Sequence, residues 1–218
     1  MQWTQKSGAL SAEDDLLAAL SVWYRDIVFC PVKEAGADFC LGDLKKGQWL
    51  AEMEYLMPSS DVSTLKINSL CKSSAQEIYP EWDRLWLSQK VLSGFVTGSL
   101  DLVFEGKRDG HKAYFVADYK STNLGGSYDY YSREAVMRSV FDPRNRYDVQ
   151  YLFYSLALHR FLRNRIRDYS YERDFGGVLY LYLRGMRGAD GQDHGIFYTK
   201  PKQEIIEELD KLFEHEEN

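Results

Sequence analysis

The sequence is poor in cysteine, and it lacks any long apolar run. Among 218 residues, only Cys30, Cys40 and Cys71 are cysteines, and none belongs to a Cys-x-x-Cys pair of the kind found in many zinc sites. A sparse, odd set is typical of reduced thiols, not of a disulfide framework. No apolar stretch approaches the roughly 20 residues of a membrane-spanning helix, and the first residues do not resemble a signal peptide. We therefore expect a cytoplasmic location.

Positive charge is also in the minority, with 27 Lys and Arg against 33 Asp and Glu. The resulting net charge of -6 argues at first against nucleic acid as a partner. The distribution changes this view, because residues 143–188 hold nine Arg and no Lys against four acids. Arg suits bidentate phosphate contacts, although such a stretch can equally be a solvated helix face. The candidates for phosphate contact are Arg144, Arg146, Arg160, Arg163 and Arg167.

Helical periodicity and alternation together predict a single α/β domain without internal repeats. Helices are predicted from Ser11 to about Val28, over 131–141, over 147–167, and from Pro201 to about His215. We divide the chain into a helical N-terminal part (1–48), a core (49–200) and a C-terminal helix (201–218). The core is predicted to be a central mixed β-sheet flanked by α-helices.

Strand patterns occur at four places. Residues 50–57 alternate and are predicted to form a strand that stops at Pro58, with Glu52 and Glu54 on the same face. Two further strands are predicted at 178–183 and near 196–199. Residues 59–93 are polar and predict only a short helix around Trp82–Trp86. The strongest local signal is a β-hairpin, 98–106 and 112–120, joined through Asp109-Gly110 in a type I′ turn.

The hairpin register brings charged side chains together. If residues 109 and 110 are the two central turn residues, Asp101 lies opposite Asp118, and Lys120 shares their face. Two facing carboxylates repel each other unless one keeps its proton or a cation lies between them. Mg²⁺ is commonly held by one or two carboxylates and waters. The geometry therefore predicts a metal site, with an ordinary surface ion pair or a register shift caused by a bulge as alternatives.

An ordered series of motifs resembles the RecB-type branch of the PD-(D/E)XK nucleases. It consists of Gly98-x-x-Asp101, Asp118-Tyr119-Lys120 and Gln150-x-x-x-Tyr154. The likeness extends from about residue 48 to the end of the chain. It implies a restriction-endonuclease-like core and a Mg²⁺-dependent DNA exonuclease that hydrolyses phosphodiester bonds, with Mn²⁺ as a substitute. Alone, the Gln150–Tyr154 spacing is more often ordinary helix packing, since residues four apart share a helix face.

The resemblance also implies a role for each matching residue. Asp101, Asp118 and the backbone carbonyl of Tyr119 would bind the metal, and Lys120 would position and help activate the attacking water. Glu52, with Glu54 in reserve, would be the acid of the preceding strand. Gln150 and Tyr154 would organise the active site. The implied partners are DNA, RecC- and RecD-like subunits and the strand-exchange protein RecA.

Two features depart from the family pattern. Members carry a metal-binding His upstream of the acidic strand, whereas His111, His159, His194 and His215 all follow Glu52. Some relatives bind an iron–sulfur cluster through four Cys, and three scattered Cys argue against one here. We expect the chain to be a piece of a larger helicase-nuclease in the repair of double-strand breaks and recombination. A non-catalytic module that docks partner subunits and recruits RecA is the alternative.

Overall fold

The computed structural model of the chain describes residues 12–34, 38–84, 87–188 and 194–214. Its helices are α1 (Ala12–Val28), α2 (Thr64–Ile78), α3 (Arg133–Val140), α4 (Tyr147–Arg163), α5 (Tyr171–Asp174) and α6 (Gln203–Leu212). Its strands are β1 (Trp49–Ser63), β2 (Val91–Arg108), β3 (His111–Lys120), β4 (Phe175–Tyr182) and β5 (Ile196–Thr199). Short 3-10 helices occupy Leu41–Asp43 and Tyr128–Tyr131. Within these ranges, no helix has both the length and the apolar character needed to cross a bilayer.

The five strands form one mixed sheet in the order β1-β2-β3-β4-β5. Neighbours are antiparallel except for β3 and β4, which run parallel. A parallel pair needs a long crossover connection, and here that connection contains α3, α4 and α5. The predicted α/β class, with a mixed sheet flanked by helices, is confirmed.

The predicted hairpin and its register are confirmed. Arg108 faces His111, and the pairing continues without a shift to Leu102 opposite Ala117. Asp109 and Gly110 both have positive φ, 51° and 78°, as a type I′ turn requires. This register places Asp101 and Asp118 at the next facing positions.

The sheet divides at those positions. Leu102 and Ala117 are the last paired residues of β2 and β3 in the described chain, so Asp101 and Asp118 do not form the directly paired position that the sequence predicts. β2 remains paired with β1 on both sides of this point, while β3 continues along β4 as far as Lys120. Asp101 therefore lies at a fork, where β1 and β2 leave the main sheet as a two-stranded ribbon.

Side chains pack on both faces of the sheet. One face carries Val103, Val116 and Val178 under α4, whose Leu152, Leu156 and Leu158 are fully buried. The predicted central packing of this helix is confirmed, although it ends at Arg163 rather than 167. The other face carries Phe104 and Phe115, which pack against each other and against Phe39. Both faces of the sheet are covered, whereas Asp101 at the fork remains partly exposed.

Two local predictions are wrong, and one segment that the sequence left unassigned is a helix. β1 does not stop at Pro58 but runs to Ser63, because an edge strand tolerates a residue without an N–H. Residues 64–78 form a full helix whose buried Ile67, Cys71 and Ala75 recur every four residues; its many Ser and Lys residues hide this stripe. Residues 81–84 are not helical. Ser11, Trp86 and His215, at the bounds of predicted helices, lie outside the described residues.

Candidate active site

Four of the residues predicted for the site form a closed ring of polar contacts. Lys120 Nζ lies 2.6 Å from Asp118 Oδ1 and donates to Gln150 Oε1 at 2.9 Å. Gln150 Nε2 donates to the Tyr154 hydroxyl at 2.7 Å, and that hydroxyl donates to Asp118 Oδ2 at 2.9 Å. We call this set the four-residue ring. It joins the end of β3 to one face of α4.

The ring is shielded from solvent. Asp118 is 4% exposed and Lys120 is 7% exposed, so the alternative of a solvated surface pair is wrong. Burial raises the pKa of the Asp118 carboxyl, although the adjacent Lys120 charge opposes the shift. Charged groups this deep in a protein are costly unless they are paired. Such perturbed carboxyls are more common at functional sites than in ordinary surface pairs.

Asp101 reaches the same region from the fork. Its Oδ2 accepts a hydrogen bond from the backbone N–H of Tyr119 at 3.0 Å, at a position where β2 no longer pairs with β3. The negative charge of Asp101 also contributes to the raised pKa of Asp118. The two carboxylates therefore interact, as the register predicts, but one is fixed by a backbone amide and the other by the four-residue ring.

Glu52 lies across the strand pair from Asp101. It has a positive φ of 52°, and its Oε2 accepts a hydrogen bond from the Ser99 hydroxyl at 3.3 Å. Glu52, Asp101 and Tyr119 line one hollow of about 590 Å³. Glu54, the reserve candidate, faces Ser99 in the register and is not part of that lining. Of the two acids, Glu52 is the one that the structure places beside Asp101.

The donor set suits a hard divalent cation. No group of three or more His, Cys, Asp or Glu that could bind a metal occurs within the described ranges. The carboxylate oxygens of Asp101 and Asp118 are donors of the type that Mg²⁺ prefers. The third predicted ligand, the Tyr119 carbonyl, belongs to the residue whose N–H binds Asp101. Each carboxylate can accept several contacts, so the contacts of Asp118 with Lys120 and Tyr154, and that of Asp101 with the Tyr119 N–H, leave lone pairs for a metal. The mutual repulsion of the two carboxylates is a further reason to expect a cation there.

Sequence reasoning missed two aromatic neighbours of Lys120. Its Nζ lies 3.7 Å from the ring centre of Tyr147 and 4.7 Å from that of Tyr180. Tyr147 precedes Gln150 by three residues on α4, so helical spacing could have found it. Tyr180 faces Asp118 across the parallel strand pair, which only the crossover topology reveals.

The arginines fall into two groups. Arg144 is exposed and paired with Asp142 at 2.6 Å, which lowers the pKa of that carboxyl to about 2, and Arg146 is exposed just before α4.

At the other end of α4, Arg160 and Arg163 both contact the buried Asp210 of α6, the latter at 2.7 Å. Arg163 comes 13 residues after Gln150, about 20 Å along a helix. Arg167 is exposed beyond that end.

A mixed five-stranded sheet flanked by helices, with carboxylates and a lysine where two strands separate, defines a restriction-endonuclease-like α/β core. No protein-family model matches this chain. Curated proteins do match it, and each of those described below is a RecB subunit. The chain is 37% identical over 207 residues to the RecBCD enzyme subunit RecB of Haemophilus influenzae, covering 94% of this chain and 16% of that protein.

Two other relatives agree. Identity to RecB of Escherichia coli is 35% over 199 residues, 89% of this chain and 16% of the relative. Identity to RecB of Mycobacterium tuberculosis is 33% over 206 residues, which cover 84% of this chain and 18% of that relative. The chain therefore belongs to the RecB family and corresponds to its C-terminal nuclease domain. It spans about a sixth of the length of these relatives.

Proposed function

We propose that this chain is a Mg²⁺-dependent deoxyribonuclease of the PD-(D/E)XK type. The observation that carries the proposal is the four-residue ring: a buried Asp118–Lys120 pair at 2.6 Å, fixed by Gln150 and Tyr154 and adjacent to Asp101. A non-catalytic module has no need of such a set, since buried ion pairs are poor contributors to stability. The relatives, as subunits of the RecBCD enzyme, support the same class of activity.

Each residue has a proposed role in the hydrolysis of a phosphodiester bond. Asp101, Asp118 and the Tyr119 carbonyl would hold Mg²⁺, or Mn²⁺ in its place. The bound ion supplies Lewis-acid chemistry, lowering the pKa of water and offsetting charge on the leaving oxygen. Lys120 positions the attacking water, and Gln150 and Tyr154 keep Lys120 and Asp118 in place. Glu52 is the auxiliary acid of the site.

The proposed DNA contacts lie at the start of α4. Arg146 directly precedes Tyr147, whose ring lies 3.7 Å from Lys120 Nζ, and Arg144 is nearby in the chain. Both are exposed and can contact phosphates without reading bases. Arg160 and Arg163 neutralise Asp210 instead, so we leave them, with Arg167, out of the proposed DNA surface.

The complete protein is proposed to act within a RecBCD-type helicase-nuclease in the repair of double-strand breaks and in recombination. The name of the relatives, RecBCD enzyme subunit, supports RecC- and RecD-like partners. RecA remains a further proposed partner. Because the chain spans about a sixth of its relatives, delivery of DNA by a motor is proposed for the complete protein only.

The test compares Asp118→Asn with Asp109→Asn on single-stranded DNA with Mg²⁺ or Mn²⁺. Both remove one carboxylate charge, but Asp109 is in the hairpin turn, where Asn tolerates its positive φ. We expect cleavage by the parent chain and by Asp109→Asn, and a loss of at least about a hundredfold for Asp118→Asn. Equal rates for all three, or no cleavage by any, would contradict the proposal.

A further inference from the structure

Lys120 is held by more than hydrogen bonds. An ammonium group has three N–H donors, and Asp118 and Gln150 accept two of them. Two aromatic rings also lie close to Nζ: the ring centre of Tyr147 at 3.7 Å and that of Tyr180 at 4.7 Å. The ammonium therefore lies between one pair of oxygen acceptors and one pair of ring faces.

The rings are themselves fixed. The Tyr180 hydroxyl donates to the backbone carbonyl of Tyr147 at 2.7 Å, and the two ring centres are 5.3 Å apart. Tyr180 is fully buried in β4, and Tyr147 opens α4. Arg146, with a positive φ of 55°, sets the direction in which the chain enters the helix. Strand, helix and turn together hold the Tyr147 ring against Lys120.

This arrangement has an electrostatic consequence. A cation over an aromatic face is attracted by the ring quadrupole, and the attraction is stronger where water is excluded. Lys120 is 7% exposed, so water contributes little to its solvation. Without the Tyr147 ring, Asp118, Gln150 and the more distant Tyr180 ring would remain around the ammonium, and rotation of its four-carbon chain would compete with the productive position.

We propose that the Tyr147 ring is a positioning element for Lys120, acting through its π face rather than its hydroxyl. The test by kcat rests on the proposed nuclease function, whereas the test by the NMR signal of the Lys120 ammonium depends on the structure alone. It predicts that the electron density of the ring sets the turnover rate and leaves substrate binding unchanged, because the ring acts on Lys120 and not on the DNA.

The experiment replaces Tyr147 with phenylalanine and then with phenylalanines bearing one and three ring fluorines. Fluorination weakens the ring quadrupole with little change of shape. With Tyr147→Phe as the reference, we expect kcat to fall with each fluorine to a total loss of about 2- to 30-fold, at constant KM. The NMR signal of the Lys120 ammonium should shift or broaden in parallel. A kcat and an ammonium signal independent of fluorination would overturn the proposal.

The matched control is Phe153 on the same helix, whose ring packs on Phe213. Fluorination there should leave kcat and the Lys120 signal unchanged; an equal effect at both positions would also overturn the proposal. Thermal unfolding shows whether each variant is folded. If the trifluoro variant does not fold, the monofluoro variant is compared with Tyr147→Phe instead. A parent chain without activity defeats the proposed function, whereas the ammonium signal still decides the role of Tyr147.

Discussion

Lys120 Nζ lies 2.6 Å from Asp118 Oδ1, and both side chains are less than a tenth exposed. Removing one member of a buried ion pair leaves the other charge uncompensated. We expect Lys120→Met to lower the free energy of unfolding by about 3–5 kcal/mol, as measured by urea denaturation. Adding Asp118→Asn to Lys120→Met should recover part of that loss. Strictly additive losses would show that the two groups do not interact.

Gly98 faces Tyr55 across β1 and β2, and a Cβ at position 98 would collide with the Tyr55 hydroxyl oxygen. Gly98→Ala should therefore displace the phenol ring and destabilise the fold by about 1–3 kcal/mol. Gly126→Ala is the matched control, since a Cβ there meets nothing within 4 Å. Adding Tyr55→Leu to Gly98→Ala should restore much of the stability; if it does not, another contact requires the glycine.

Substitutions of Arg160 and Arg144 should have opposite effects on stability and on DNA binding. Arg160 compensates the buried Asp210, so Arg160→Met should cost about 3 kcal/mol of unfolding free energy and leave the salt dependence of DNA binding unchanged. Arg144 is on the surface, so Arg144→Gln should leave the thermal midpoint unchanged. It should weaken DNA binding and reduce the salt slope by about one. The reverse pattern in a salt titration would place the DNA surface at the other end of α4.

His159 makes the fold sensitive to acid. It is 5% exposed, its Nδ1 is 3.0 Å from the Tyr169 hydroxyl, and burial lowers its pKa, with Asp210 opposing the shift. The unfolded chain then binds a proton more readily than the folded one, so this stability is present above about pH 6.5 and is lost as the pH falls below it.

His159→Gln should therefore have a thermal midpoint that depends less on pH between about 7 and 5. An NMR titration of the imidazole in the parent chain tests the same point directly. If the variant and the parent lose stability in parallel over this range, the sensitivity has another source.

The sequence predicted most of the site because its parts are local. The Asp109-Gly110 turn sets a hairpin register without help from the rest of the chain. That register placed Asp118 and Lys120 on one face and Asp101 near them, although Asp101 is not paired with Asp118 as predicted. Helical spacing put Gln150 and Tyr154 on one face. The contact between the two groups depends on the parallel pairing of β3 with β4, so the resemblance to a known family supplied it and local pattern did not.

Other features depend on partners distant in the chain. The sequence shows one continuous basic stretch, residues 143–188. In the structure, Arg160 and Arg163 of that stretch form ion pairs with Asp210 of α6. Asp101 is displaced from its ladder position because β2 follows β1 and leaves β3. The buried stripe of α2 was visible in its four-residue spacing, but its polar composition outweighed that signal.

The four-residue ring has a consequence for tracing distant relatives. Its members occupy only the end of a strand and about one turn of the helix that crosses back over the sheet. Strand geometry fixes the separation of Asp118 from Lys120, and helix geometry fixes that of Gln150 from Tyr154. The connecting segment 121–146 is free of both constraints. Searches that hold the two short spacings rigid and let the intervening length vary should therefore reach members that whole-domain alignment overlooks.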